Sequence, residues 1–258
     1  MKKIKLFSLI FSLLFCLSAC HTDAPTRPTS AEKNEPTEAE ENATILKKTE
    51  DRGQDYLDSF IFFGESTTYH LKSRGVLSGG RNTTQVWGAD NGTAMLDRDV
   101  TTLRIRYPET DELLTVAEAC ARKKPTYLLL TFGLNGAPQI IQHGEQAFRA
   151  NYLRLIEVVQ KASPNTKIIL QSCFPVAENM DMSRYSLTLD QLNEAIRQIN
   201  KWTLAIAEDY DLRYLDTAEI LSDKDGRLKI EYQNGDGHHL TGEAYQEILS
   251  YIRTHGYQ

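Results

Sequence analysis

The stretch Phe60-Ile61-Phe62-Phe63-Gly64-Glu65-Ser66 decides the fold class of this 258-residue chain. An unbroken apolar run that ends in glycine is typical of a strand buried on both faces of a parallel sheet. The turn after such a strand lies at the carboxyl edge of the sheet, where open α/β folds bind their ligands. We therefore expect the Ser66 hydroxyl at a ligand-binding edge.

Apolar runs and helical spacing then alternate along the chain. Strands are predicted at 126–132, 167–171 and 212–215, and helices at 67–74, 112–124, 146–162, 187–210 and 241–254. Turn signals and β-branched runs between 76 and 111 predict an irregular excursion that contains a hairpin. Strands alternating with helices predict one α/β domain at 51–258, with a central parallel sheet between two helical layers.

The amino terminus has the pattern of a processing signal. A basic start is followed by an apolar stretch of 12 residues at 6–17, too short to span a bilayer comfortably. Leu17-Ser18-Ala19-Cys20 resembles a bacterial lipobox, which predicts a signal peptide at 1–19 and a lipid on Cys20. An ordinary secretory signal or an uncleaved anchor are the alternatives. The polar composition of residues 20–50 predicts a disordered tether.

Charge and cysteine content limit the partners. Loss of residues 1–19 removes three lysines and no acidic residue, so the formal charge goes from −6 to −9, which argues against binding nucleic acid. Lipid rather than surface charge is then expected to hold the protein at the outer side of the cytoplasmic membrane. Cys120 and Cys173 either form a disulfide or pack as reduced apolar residues. The cysteine and histidine spacing predicts no metal site.

A second polar motif, Asp236-Gly237-His238-His239, stands just ahead of the last predicted helix. Histidine is the side chain whose pKa suits a general base near neutral pH, and a carboxylate can orient its ring. The Asp-x-x-His spacing favours His239 as the base and Asp236 as its partner. His238 is the rival base, and Asp216 is the rival acid. An early serine with this late motif predicts a hydrolase.

These residues resemble the SGNH (GDSL-type) hydrolase family, in its secreted bacterial lipoprotein branch. Residues 63–68 resemble the nucleophile block, with Glu65 where the family usually has Asp. Residues 131–136 resemble the block whose Asn135 donates to the oxyanion, and residues 236–241 resemble the Asp-x-x-His block. The resemblance covers about 55–258 and implies a three-layer α/β/α flavodoxin-like fold.

The resemblance also implies roles for single residues. Ser66 would be the nucleophile, His239 the base and Asp236 the orienting acid. The Ser66 backbone N–H and the Asn135 amide would stabilise the oxyanion. The family's further glycine is absent at the expected junction, 108–111, so a glycine of the excursion, Gly88 or Gly92, is a tentative third donor. Plain alternatives are a helix-capping role for Ser66 and turn-forming roles for Asn135 and Asp236.

We therefore expect a monomeric, membrane-anchored serine esterase that needs no cofactor or metal. Its expected substrate is an acyl ester, O-acetyl foremost, on carbohydrate of the cell envelope. An acyltransferase that uses the same site is one alternative. An inactive envelope-binding lipoprotein, suggested by Glu65 and the missing glycine, is another.

Overall fold

The computed structural model describes residues 43–90 and 93–258. The predicted signal peptide, Cys20, most of the predicted tether and Gly92 lie outside these ranges. No helix within them combines the length and the apolar character needed to cross a membrane.

The core of the fold is a five-stranded parallel sheet. Its strands are β1 (Phe60–Gly64), β2 (Val86–Trp87), β5 (Tyr127–Thr131), β6 (Lys167–Gln171) and β7 (Arg213–Leu215), in the order β2-β1-β5-β6-β7. Strands β3 (Ile105–Arg106) and β4 (Leu113–Leu114) form a separate antiparallel pair. The predicted central parallel sheet is confirmed.

Helices cover both faces of the sheet. They are α1 (Gly53–Asp58), α2 (Ser66–Ser73), α3 (Val116–Lys123), α4 (Ala137–His143), α5 (Glu145–Ala162), α6 (Leu189–Asp209), α7 (Ala218–Leu221) and α8 (Gly242–Thr254). Thr115 and Thr188 begin α3 and α6 with capping boxes, in which the threonine hydroxyl and the side chain three residues later satisfy the first N–H groups.

The pleat of the central strands explains the two helical layers. Ile61 and Phe63 of β1 face one hydrophobic cluster, whereas Phe60 and Phe62 face the other. Successive side chains of a strand point to opposite faces, so a wholly apolar strand needs cover on both sides. The first cluster takes in side chains of α3, α5 and α6, and the second those of α1, α2 and α8. The predicted three-layer architecture is confirmed.

The second strand of the sheet is not where the sequence pattern placed it. Val86–Trp87 pairs in parallel with Phe62–Phe63, whereas Ile105–Arg106, just before Pro108, belongs to the β3–β4 hairpin. The predicted junction at 108–111 is therefore wrong, and Gly88 follows the second strand. A two-residue strand has too little apolar length to stand out beside the longer β-branched run at 100–107. The helix predicted from residue 112 begins only at Val116, because Leu113–Leu114 forms strand β4.

The start of the domain is also earlier than predicted. Ile45 forms a parallel bridge with Tyr214, and the Leu46 N–H donates to the Tyr214 carbonyl at 2.9 Å. Leu46 is only 4% exposed. The boundary at residue 51 is therefore wrong, because two apolar residues extend the sheet beside β7. Cys120 and Cys173 are both free and buried, so they form no disulfide.

Candidate active site

Ser66 is the first residue of α2, directly after the turn that ends β1. The turn needs glycine at position 64, because a Cβ there would lie 2.4 Å from both the Thr131 carbonyl oxygen and the Thr68 hydroxyl. As the first helical residue, Ser66 has a backbone N–H with no partner inside the helix. The tight turn thus brings both the hydroxyl and a free N–H to the carboxyl edge of the sheet.

The late motif meets Ser66 at this edge. The Ser66 Oγ lies 3.2 Å from the His239 Nε2, and the His239 Nδ1 lies 2.7 Å from the Asp236 Oδ2. The structure therefore brings the three predicted residues together in the predicted order. Nε2 is left to interact with a hydroxyl when Nδ1–H is held by a carboxylate.

Asp236 is held by its own loop. Its Oδ1 accepts the backbone N–H groups of His238 at 3.0 Å and His239 at 2.9 Å. Burial tends to raise the pKa of Asp236, but these hydrogen bonds outweigh it and lower the pKa to about 2. The carboxylate therefore stays ionised at any pH at which His239 could work as a base.

The two rival residues have other positions. His238 Nδ1 lies 3.3 Å from the Asp236 Oδ1, and its ring packs on His239 with centroids 3.9 Å apart. Ser66 has its hydrogen bond with His239 rather than with His238. Asp216 lies before the short helix α7, where the Ala218 N–H donates to the Ser172 Oγ at 2.9 Å. Burial raises the pKa of Asp216 above its ordinary value.

His70 also packs against the ring of the candidate base, His239. Its ring centroid is 4.5 Å from that of His239, and its buried Nδ1 has no hydrogen-bond partner in the described part of the chain. Burial, followed by the nearby His239 and Arg74, lowers the pKa of His70 to about 4. A neutral His70 therefore packs against the candidate base. Residues i and i+4 of a helix share a face, so the spacing from Ser66 to His70 is a sequence signal for this contact, although a plain surface position is an equally simple interpretation of it.

Glu65 holds the loop that carries Asn135. Its Oε1 accepts the Gly133 N–H at 2.9 Å, and its Oε2 accepts the Asn135 N–H at 2.8 Å. The side chain is 2% exposed, and burial raises the pKa of Glu65 to about 7 against the lowering effect of these hydrogen bonds. Glu65, which stands where the family usually has Asp, therefore has a structural role in holding this loop. Its presence gives no support to the alternative of an inactive protein.

The Asn135 side chain is oriented by the excursion. Its Nδ2 donates to the Thr93 Oγ1 at 3.1 Å, which leaves the second N–H of the amide for another acceptor. Asn135 is partly buried at the same edge as Ser66. The tentative donor Gly92, next to Thr93, lies outside the described residues. No sequence signal pointed to Thr93.

Two cavities flank Asn135. The first, of about 250 Å³, is lined by Asn135, His238, Met180, Arg184 and Tyr185, among others. The second, of about 210 Å³, is mostly apolar and has Met95, Leu96 and Phe148 in its wall. Neither wall includes Ser66 or His239, so both cavities adjoin the triad rather than enclose it.

One group near the site has the composition of a metal site. Asp236, His238 and His239 offer ligand atoms that all lie within 4.8 Å of one another. The Asp236 Oδ2 already takes the His239 Nδ1 contact, and Oδ1 takes two backbone N–H groups. A metal at this point would replace the proton that links Asp236 to His239, so the arrangement suits proton transfer better than coordination.

Solved structures with similar folds are also similar in size. A Bacteroides fragilis protein described as an acylhydrolase has 16% identity and a TM-score of 0.50, with 88% of this chain and 96% of that chain covered. A lipolytic protein of the G-D-S-L family from Desulfitobacterium hafniense has 16% identity and a TM-score of 0.50, with coverages of 75% and 97%. A catalytic mutant of an acetylxylan esterase from Geobacillus stearothermophilus has 16% identity and a TM-score of 0.45, with coverages of 77% and 94%. The first two share the α/β fold described above.

Sequence comparison identifies the family. No curated protein matches the chain. The family model of the GDSL-like lipase/acylhydrolase family matches residues 62–247, which include the turn at Ser66, the loop at Asn135 and the Asp236–His239 motif. The chain therefore belongs to the GDSL-like lipase/acylhydrolase family and is an ester-hydrolysing enzyme.

Proposed function

We propose that the protein is a serine esterase that works through an acyl-enzyme formed on Ser66. The observation that carries this proposal is the continuous contact from the Ser66 Oγ to the His239 Nε2 at 3.2 Å and from the His239 Nδ1 to the Asp236 Oδ2 at 2.7 Å. A hydroxyl is a weak nucleophile until a positioned base takes its proton. The low pKa of Asp236 keeps a negative charge beside the imidazolium that forms when His239 takes that proton.

The steps follow from the positions of these groups. As Ser66 Oγ attacks the ester carbonyl, His239 takes the hydroxyl proton, and the carbonyl oxygen becomes an oxyanion. The Ser66 N–H and the free N–H of the Asn135 amide stabilise that oxyanion. His239 then gives the proton to the leaving alcohol. In the second half, His239 takes a proton from the water that attacks the acyl-enzyme. The bond between the acyl carbon and the Ser66 Oγ then breaks, His239 returns the proton to that oxygen, and the carboxylic acid leaves.

We further propose that the substrate is an O-acyl ester, O-acetyl foremost, on carbohydrate of the cell envelope. The support is the predicted lipid on Cys20, because an anchored enzyme reaches only nearby substrates. A flexible tether of about 30 residues has a root-mean-square span of roughly 30 Å, so the outer face of the membrane and the adjacent wall lie within reach. The mostly apolar cavity beside Asn135, about 210 Å³, also suits a small acyl group better than a long chain.

Hydrolysis of 4-nitrophenyl acetate by the detergent-solubilised full chain tests the esterase mechanism. Ser66→Ala and His239→Ala are expected to lower kcat by about 10⁴-fold or more. Ser73→Ala, on the same helix, and His238→Gln, next to the base, are the matched controls and retain most of the turnover. A His238→Gln loss as large as that of His239→Ala would contradict the assignment of the base.

The anchor is tested separately. Mass spectrometry of the protein purified from membranes of a bacterial host is expected to find an acylated cysteine at residue 20 as the mature amino terminus. A Cys20→Ala variant is expected to leave the membrane fraction or to keep its signal peptide. An unmodified residue 20 in a protein that starts elsewhere would contradict the anchor while leaving the esterase proposal unaffected.

A further inference from the structure

The cavity beside Asn135 that contains Arg184 has a charge pattern that the catalytic steps do not use. We propose that this cavity, called here the Arg184 cavity, binds a carboxylate group on the sugar that carries the scissile ester. This inference rests on the proposed esterase function and adds the chemical class of the substrate: an acidic acylated sugar rather than a neutral one.

Among the described residues, Arg184 is the only permanently charged side chain in the wall of the Arg184 cavity. The other polar side chains that these residues contribute are neutral amides and hydroxyls together with His238, and none of them is a carboxylate. Arg184 makes no hydrogen bond or ion pair with any described residue. The Asp181 carboxylate, three residues earlier, accepts the Ser183 N–H at 2.9 Å and lies outside the wall. Hydrogen bonds with Ser183, and to a smaller extent the charge of Arg184, lower the pKa of Asp181, but Arg184 and Asp181 form no direct ion pair. An arginine without a protein partner is available to bind a carboxylate with two parallel N–H groups.

A cation in this cavity contrasts with the negative charge of the whole chain. The chain carries a formal charge of −6, so long-range electrostatics repel acidic ligands. A preference for an acidic sugar would therefore require a local cation at the site itself. Arg184 supplies that cation, in a wall shared with His238, the neighbour of the candidate base.

The position of the Arg184 cavity beside the Asp236–His239 loop indicates that it would hold the alcohol half of the ester. His239 must protonate the leaving alcohol, so the alcohol departs next to the Asp236–His239 loop. His238 of that loop lines the Arg184 cavity, whereas the mostly apolar cavity on the other side of Asn135 has no residue of the loop in its wall. The acyl group therefore belongs on the apolar side, and the sugar belongs beside Arg184.

Tyr185 completes a surface that suits a sugar ring. It lines the same cavity and is 40% exposed, although it is a large aromatic residue. An exposed ring with an adjacent guanidinium offers an apolar face for a pyranose and a cation for its acidic substituent. Tyr185 and Arg184 share the loop between β6 and α6, which is fixed to the catalytic loop because the Ala177 N–H donates to the Gly237 carbonyl at 2.7 Å.

Matched substrates test the inference with the full chain in detergent. The first pair is a methyl glucuronoside and a methyl glucoside that each carry one acetyl group on the same hydroxyl. The second is a 6-O-acetylated methyl N-acetylmuramoside and the corresponding N-acetylglucosaminide. Each pair differs by one carboxylate-bearing group, so the ratio of kcat/KM within a pair measures recognition of that group. The pairs distinguish a uronic acid from a lactyl ether as its source.

We expect the acidic member of at least one pair to be preferred about tenfold or more, mostly through a lower KM. Arg184→Gln should bring that ratio close to one, and Arg184→Lys should keep part of it. Lys161→Gln, in the last turn of α5, removes one positive charge away from the cavity and should leave the ratio unchanged. The preference should also weaken at high salt.

Two failures are distinguishable. If the wild-type chain hydrolyses 4-nitrophenyl acetate but shows a ratio near one in both pairs, or if Arg184→Gln keeps the preference, the Arg184 inference is wrong and the esterase proposal stands. If wild type and Ser66→Ala have the same rate on 4-nitrophenyl acetate, the esterase proposal itself fails.

Discussion

The Glu65 carboxylate accepts the Asn135 backbone N–H at 2.8 Å, so the residue before the candidate nucleophile positions the loop of the candidate oxyanion donor. The second carboxylate oxygen accepts the Gly133 N–H at 2.9 Å. One buried side chain thus couples two of the motifs recognised in the sequence. This coupling gives the first prediction.

Glu65→Gln should impair both turnover and the pH dependence of stability. A glutamine has one acceptor oxygen where two are needed, so one loop N–H loses its partner and kcat should fall about 10- to 100-fold. Burial raises the pKa of Glu65 from 4.5 to about 7, so the native state binds more protons than the unfolded state between these values. Wild-type stability therefore loses on the order of 3 kcal/mol from this group as pH rises from 4.5 to 7.

Urea denaturation of Glu65→Gln and wild type across this range measures that effect. The variant should gain stability relative to wild type with rising pH. The exposed Glu157→Gln is the control and should run parallel to wild type. Parallel curves for Glu65→Gln as well would show that the carboxyl has an ordinary pKa in the fold.

His70 is predicted to act through packing against His239 rather than through a hydrogen bond. His70→Ala removes that packing, and kcat should fall about tenfold, with little change in KM. His70→Phe restores an aromatic ring of similar size and should recover most of the turnover, because the buried Nδ1 has no partner among the described residues. Recovery of turnover in His70→Gln but not in His70→Phe would instead indicate that a polar atom of His70 is needed.

Replacement of His70 should also change how the stability of the fold depends on pH. The pKa of His70 is lowered from 6.5 to about 4, so the native state binds fewer protons than the unfolded state in that window. Wild-type stability should therefore fall as pH falls from 6.5 to 4, opposite in sign to the Glu65 effect. His70→Phe removes this loss, and its stability relative to wild type should increase on acidification.

The motifs that the sequence revealed were those with a fixed local pattern. The Gly64-Glu65-Ser66 turn after an apolar strand and the Asp-x-x-His spacing are short-range features, and the structure brings their side chains together. Glu65, in contrast, looked like a mark of lost activity until its two N–H partners were known. Those partners are 68 and 70 residues away along the chain, and no local pattern encodes such contacts.

The same limit explains the misplaced second strand. Val86–Trp87 is defined by its pairing with β1 rather than by its own length or apolar content. The Arg184 cavity likewise draws its wall from loops and helices that are far apart in the sequence. Tertiary contacts decide such features, so a single sequence gives little warning of them.

Asn135→Ala should remove one oxyanion donor and lower kcat by about 10²–10³-fold, with little effect on KM. Gln139→Ala is the matched control, because Gln139 shares both cavities with Asn135 but is not aimed at the oxyanion in the proposed mechanism. It should change KM at most. Comparable losses of kcat in the two variants would contradict the assigned donor.

Gly237 allows a close contact between the catalytic loop and the loop that carries Arg184. Its φ is +83°, and a Cβ there would lie 2.5 Å from the Met180 Cα. Gly237→Ala should therefore displace the Asp236–His239 loop, lower kcat more than tenfold and destabilise the fold by about 1–3 kcal/mol.

Gly235→Ala, in the same loop, is the control for this contact. Gly235 has a φ of +118°, but its Cβ would meet nothing within 4 Å. The Gly235 variant should show backbone strain alone, with a smaller loss of turnover, as measured by thermal denaturation and 4-nitrophenyl acetate hydrolysis. Equal effects of the two variants would show that the Met180 contact is unimportant.

The most direct test of the central claim is the site of modification by a fluorophosphonate, which reacts preferentially with activated serine hydroxyls. Peptide mapping by mass spectrometry is expected to find the adduct on Ser66 in the wild-type chain, with labelling abolished in Ser66→Ala and strongly slowed in His239→Ala. Absence of an adduct on Ser66 in the folded protein, or unchanged labelling in His239→Ala, would contradict the proposal that His239 activates Ser66.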